Sequence, residues 1–377
     1  MTSAGNHADS VSTLGRLQSN SPIRRVTARD RDHKRRSLLD ASSITPQLIM
    51  NKHSLRFLWL AFALVLQPTE GSSAQYAPLK TLFEVEVVDT SFSYGPSNRS
   101  VPLRIYLPKT DAPNPVLLFS HGLGGSREAS PFLGKHWSGR GYCVVFMQHA
   151  GSDRDVMKNA GRFQRLSALK NAISGESAND RKNDVRATID ELEKLTLTRG
   201  QFYGKLDLNR LGMSGHSFGA ITTQAVSGQE HRLKRQTHKD SRIKAAIAMS
   251  PSMPPLGGAS SAFASIKIPW LLMTGTDDNS PVNRRVDAKS RREVFKALPS
   301  DGHSFELVLN EGTHFIFGGR SERLPASKKS KLQQETIKAI STAFWDAYLM
   351  EAPAALAWLN GGEVRTILDD RDTWSKK

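Results

Sequence analysis

Ser217 stands in the run Gly215-His216-Ser217-Phe218-Gly219. A short apolar stretch, Arg210-Leu211-Gly212-Met213-Ser214, precedes it, and a helix-compatible stretch from Ala220 to Val226 follows. Strand, Gly-x-Ser-x-Gly, helix is the context that turns a common pattern into a sharp turn presenting a nucleophile. The flanking glycines let strand and helix approach without Cβ clashes. The hydroxyl would stand at a helix N-terminus, whose dipole favours negative charge. That chemistry is covalent acyl transfer.

A serine hydroxyl is a poor nucleophile at its free pKa and needs a base. Two later strand ends offer the missing groups. Pro269-Trp270-Leu271-Leu272-Met273-Thr274 runs into Gly275-Thr276-Asp277-Asp278-Asn279-Ser280-Pro281. A carboxylate just past a strand's C-terminal end sits on the functional rim of a parallel sheet. Phe305-Glu306-Leu307-Val308-Leu309 runs into Asn310-Glu311-Gly312-Thr313-His314. His314 would take the Ser217 proton and return it to the leaving group. Asp277 or Asp278 would fix the imidazole tautomer and stabilise the imidazolium. The strand Ile243 to Met249 ends in Ser250-Pro251-Ser252-Met253, which holds no carboxylate.

Stabilisation of the developing charge is also readable. Pro115 to Ser120 has a buried-strand pattern and leads into His121-Gly122-Leu123-Gly124-Gly125. Glycines there free backbone N–H groups to face a ligand. The N–H groups of Leu123 and Phe218 would hold a tetrahedral oxyanion, where one lost donor costs roughly 3 to 4 kcal/mol of barrier.

Together these pieces resemble the α/β-hydrolase superfamily, and within it the dienelactone-hydrolase-like and platelet-activating-factor-acetylhydrolase-like serine esterases. Gln148-His149-Ala150-Gly151-Ser152-Asp153, the helix opening Asp180-Arg181-Lys182-Asn183-Asp184-Val185 and Ala343-Phe344-Trp345-Asp346-Ala347-Tyr348-Leu349 add to the likeness. It extends over residues 80 to 360. The family pattern sets the acid three residues after the strand-end glycine, which implies Asp278, with Asp277 as its competitor. It also implies Leu123 and Phe218 as oxyanion donors. Dienelactone hydrolases proper use a cysteine nucleophile, so Ser217 departs from them and their substrate does not carry over.

Of the 377 residues, one is cysteine, Cys143, so no internal disulfide is possible. Its neighbours Tyr142, Val144, Val145 and Phe146 place it in a buried strand as a small hydrophobe. Residues 1–49 are polar, charged and aperiodic, which reads as disorder or as a reading frame extended beyond its true start. Met50-Asn51-Lys52-His53-Ser54-Leu55-Arg56, an apolar run from Phe57 to Leu66, and Ser72-Ser73-Ala74 follow the order of a secretory signal peptide. The expectation is a start at Met50, a leader over 50–74 and an exported protein. A twin-arginine leader using Arg35-Arg36, or an uncleaved anchor, is the alternative. The net charge is +16; ten Lys and Arg against five Asp and Glu lie in residues 1–74, so about +11 remains beyond them. The basic clusters His231 to Lys239 and Arg284 to Arg292 read as solvated faces that attract anionic envelope surfaces. Aromatic interleaving, zinc spacing and helix-turn-helix patterning are absent from the sequence, so no specific nucleic-acid binding is expected.

Phe83 to Val88 and Val101 to Leu107 alternate and predict an antiparallel edge pair joined at Tyr94 to Asn98. Strands and helices then alternate, which predicts a mostly parallel central sheet with helices on both faces. Val185, Ile189 and Leu192 recur at helical spacing behind an Asp180 cap. Thr336 to Tyr348 marks a long C-terminal helix, and 361–377 a tail. Asp153 to Ser177 is polar and irregular, either a rim over the site or a surface excursion. Arg181 and Asp184 predict a polar helix-to-loop contact, His121 a shaping role in the glycine-rich loop, and His216 packing beside the nucleophile. His121, His149 and His216 come from separate strand ends without metal-ligand spacing. Neither metal nor cofactor is expected.

The function expected is hydrolysis of carboxylic esters, small or lipid-like, by Ser217, His314 and Asp278 through an acyl-enzyme. The resemblance implies short or medium acyl groups. The alternatives are a prolyl-oligopeptidase-like peptidase and a non-catalytic hydrolase fold that binds anionic polymers.

Overall fold

The computed structural model describes residues 75–377, apart from 159, 162, 232–235, 255–258 and 320–326. The expected leader, the segment before it and the centre of the basic 231–239 loop lie outside the described residues.

Side chains alternating between two cores along wholly buried strands explain the architecture. In β3 (Asn114–Ser120), Leu117 and Phe119 pack into one core while Val116 and Leu118 pack into another. β4 (Cys143–Met147) divides the same way, with Val144 and Phe146 opposite Cys143, Val145 and Met147. A strand apolar on both sides must be covered on both sides. Helices Pro131–Arg140 and Lys328–Tyr348 cover the first face through Leu133, Trp137, Ile337, Ile340 and Phe344. Helix Gly175–Leu197 covers the second through Val185, Ile189 and Leu192. Burial pushes the Cys143 thiol up to about 12, as an inert packed group requires.

The remaining strands are β1 (Val85–Tyr94), β2 (Arg99–Pro108), β5 (Leu206–His216), β8 (Ile243–Met249), β9 (Trp270–Asp277), β10 (Ser304–Thr313) and β11 (Thr373–Lys376); the two-residue strands β6 (Glu230–His231) and β7 (Gln236–Thr237) pair separately. The main sheet runs β1-β2-β4-β3-β5-β8-β9-β10-β11. From β4 to β10 all pairs are parallel, and β1 and β2 form the antiparallel N-terminal edge. This is the α/β architecture expected, consistent with an α/β-hydrolase fold. Parallel pairing brings the ends of β3, β4, β5, β9 and β10 to one rim, where such sheets bind ligands.

Two boundaries differ from expectation. Helix Gly175–Leu197 begins a turn and a half before Asp180, because Ser174 caps it by accepting the Ser177 N–H. Asp180 instead pairs with Arg99 at 3.1 Å. Residues after 360 are no tail: β11 pairs antiparallel with β10, and Trp374 stacks on Phe305. Among the described residues, no helix is long and apolar enough to cross a membrane.

Candidate active site

β5 ends at His216, and Ser217 turns the chain directly into helix Phe218–Val226. The turn is tight. A Cβ at Gly219 would collide with the Ser120 carbonyl, and one at Gly215 with the Gly219 backbone. Ser217 itself takes φ 57° and ψ −114°, a conformation that costs a non-glycine residue roughly 1 to 3 kcal/mol. Strain of this size predicts a sign reversal. At ordinary positions alanine is more stable than glycine by about 0.4 to 1 kcal/mol. Here Ser217→Gly is expected to unfold at higher temperature than Ser217→Ala, both lacking the hydroxyl. Calorimetry on the pair checks it, and a more stable alanine variant would refute the strain argument.

The structure brings Ser217, His314 and Asp278 together. The Ser217 hydroxyl donates to His314 Nε2 at 2.9 Å. His314 Nδ1 lies 2.7 Å from Asp278 Oδ1. A carboxylate accepts only, so Nδ1 carries the ring proton and Nε2 is the free acceptor. Asp278 is fully buried, and its second oxygen accepts from Thr274 Oγ1 at 2.8 Å. Asp277 is exposed, at the last position of β9. Asp278 is the first residue past the strand; its N–H bonds the Gly275 carbonyl at 3.2 Å, and this turn directs Asp278, and not its neighbour, at the imidazole.

From sequence, Arg291 reads as part of a solvated basic face. The structure corrects that: Arg291 is 2% exposed. Its Nε donates to the Asp278 carbonyl at 2.8 Å and lies 3.0 Å from Oδ1. One Nη donates to the carbonyls of Ser250 and Pro251, and the other lies 3.2 Å from His314 Nδ1. The buried carboxylate thus has a buried cation against it. Nothing in the sequence distinguishes Arg291 from Arg284, Arg285 or Arg292.

The glycine-rich loop faces Ser217. Gly124 N–H is bonded to the Ser152 carbonyl at 2.9 Å and Gly125 N–H to the Gly122 carbonyl at 3.0 Å. Leu123 N–H, just before Gly124, has no turn or loop carbonyl as acceptor among the described residues. Phe218 N–H belongs to the first turn of its helix, where donors have no intrahelical partner. A cavity of about 270 Å³ opens over Ser217. Leu123, Leu166, Leu169, Val282 and Phe315 supply its apolar wall. Leu166 and Leu169 come from a short helix, Arg165–Asn171, so the irregular 153–177 stretch does contribute to the rim.

Behind the loop lies a second Ser-His-Asp string that the sequence did not reveal. Ser120 Oγ–H donates to His149 Nε2 at 2.9 Å, and His149 Nδ1 bonds Asp184 at 2.9 Å. All three side chains are sealed from solvent, so this serine meets no substrate. Burial, and then the Arg181 charge, push His149 down to about 4. Burial alone would raise Asp184, but hydrogen bonds from His149 and Arg99 hold it below the usual carboxylate range. The string serves the loop: the His149 backbone N–H donates to His121 Nε2, and His121 Nδ1 donates to the Gly122 carbonyl at 2.6 Å. His216 instead packs its ring 4.7 Å from that of His314. The three histidines do not converge, and among the described residues no group of His, Cys, Asp or Glu is placed to hold a metal.

The chain is similar to an acetylhydrolase. Platelet-activating factor acetylhydrolase of Cavia porcellus is 23% identical over 275 residues, covering 64% of this chain. The match spans 59% of that protein's own length. No family model matches the chain. At the level of class, this distant likeness supports a hydrolase on an α/β fold.

Proposed function

We propose that this chain is an exported serine esterase that cleaves carboxylic esters through an acyl-enzyme. The observation carrying the reading is a half-buried, backbone-strained Ser217 hydroxyl bonded to His314, itself bonded to buried Asp278, at the floor of a mainly apolar cavity.

The chemistry follows from these positions. Ser217 Oγ attacks the ester carbonyl as His314 Nε2 takes its proton. The carbonyl oxygen becomes an oxyanion facing the N–H groups of Leu123 and Phe218. Asp278 holds the imidazolium, which protonates the departing alkoxide as the C–O bond breaks. Water, deprotonated by His314, then attacks the acyl-enzyme. The acid formed leaves, and the proton returns to Ser217. No step needs a cofactor.

The cavity, about 270 Å³, falls just below the usual range of ligand sites, roughly 300 to 1,000 Å³. That size, and the acetylhydrolase likeness, support short or medium acyl groups. Export is supported by the basic, apolar, small-residue order of residues 50–74. The remaining positive charge supports weak, salt-sensitive association with anionic envelope surfaces.

A fluorophosphonate probe followed by peptide mapping tests the site. One adduct, on Ser217, is expected. p-Nitrophenyl ester hydrolysis should then peak among short and medium acyl chains and fall for palmitate. A folded protein without an adduct would overturn the reading, and anionic-polymer binding would then be measured instead.

A further inference from the structure

Arg181 is the least expected group near Ser217. It projects from helix Gly175–Leu197 and is completely buried. Its recorded acceptors are neutral. Nε donates to Ser152 Oγ at 2.8 Å, one Nη to the His121 carbonyl at 2.6 Å and to Ser120 Oγ at 3.4 Å, and the other to the Ser152 carbonyl at 3.4 Å. Burial pushes the guanidinium down to about 9, which leaves it cationic at neutral pH. Burying a charge without an opposite charge in bonding contact is expensive, and an apolar side chain of similar volume often serves stability as well. Stability is therefore a poor account of its placement.

Its contacts suggest another account. The His121 carbonyl, held by Arg181, lies just before Gly122-Leu123. The Ser152 carbonyl, also held by Arg181, accepts the Gly124 N–H just after Leu123. The Leu123 peptide is thus gripped on both sides through one side chain. The carbon of the same guanidinium lies over the Phe218 ring, 4.3 Å from its centre. Both residues whose N–H groups face the ester oxygen in the proposed reaction are tied to this group. We infer that Arg181 is a positioning residue for the oxyanion hole, fixing the Leu123 loop relative to Phe218. The inference rests on the esterase reading given above.

Donor placement matters more in the transition state than in the ground state. In Arg181→Met, kcat for p-nitrophenyl acetate should fall about 10²-fold, the scale of one lost oxyanion donor, with KM changed less than about threefold. The Ki of a trifluoromethyl ketone, which forms a hemiketal oxyanion on Ser217, should rise by the same factor. The Ki of the matching unreactive methyl ketone should stay constant. Arg181→Lys retains the cation and should recover part of both losses. If Arg181→Met does not fold, Arg181→Lys and Ser152→Ala carry the comparison, since each removes the Nε to Ser152 Oγ bond. Folded variants with kcat and trifluoromethyl ketone Ki within about twofold of wild type would overturn the inference. So would equal weakening of both ketones, the mark of a general structural role. A wild-type protein that neither binds the trifluoromethyl ketone nor takes the fluorophosphonate would instead overturn the esterase reading itself.

Discussion

Ser217→Ala is expected to lower kcat for ester hydrolysis by about 10⁴-fold or more, leaving only the background given by binding and oxyanion stabilisation. The fold should survive, because alanine removes one oxygen from a half-buried position. His314 then loses the partner of Nε2 but keeps Asp278 on Nδ1, so the imidazole stays aligned. Steady-state kinetics with p-nitrophenyl butyrate, beside a far-ultraviolet circular dichroism spectrum, makes the comparison. Hydrolysis near the wild-type rate in the alanine variant would place the nucleophile elsewhere.

The second large effect separates two adjacent carboxylates. Asp278→Asn should cost about 10⁴-fold in kcat, since an amide stabilises the wrong imidazole tautomer and cannot support the imidazolium. The environment deepens the loss. Arg291, pressed against Asp278 and His314, would then face a neutral side chain and a ring that must become positive. Asp277→Asn, at an exposed position, should stay within about twofold of wild type, as surface substitutions do. Equal losses in the two variants would mean that the acid is not assigned by the geometry described here.

The contrast between Asp278 and Arg291 shows what the sequence could convey. Ser217, Asp278 and His314 each follow an apolar run ending in glycine or a turn, so strand pattern and turn chemistry locate them together. The sheet, its antiparallel edge and the helices on both faces were legible for the same reason. Arg291 was not, and of Arg181 only the helix-to-loop contact was, because a buried arginine and a surface arginine look alike in a polar stretch. Their burial is decided by tertiary packing. Leu166 and Leu169 were hidden inside a segment without apolar period. The four residues Thr373 to Lys376 are too short to announce a strand, and only β10 makes them one. Ser120 gave no sign of its bond to His149, because parallel pairing of β3 with β4, and not sequence proximity, brings them together.

The oxyanion role proposed for the amides of Leu123 and Phe218 has a consequence for how such a site can change over generations. An amide hydrogen belongs to the chain and not to the side chain, so any substitution except proline keeps the donor at either position. Leu123 lines the cavity. On that proposal its side chain can drift in size and shape, retuning which esters fit, while the oxyanion donor is inherited unchanged. Selection on substrate preference and selection on reactivity would act on separate atoms of the same residue.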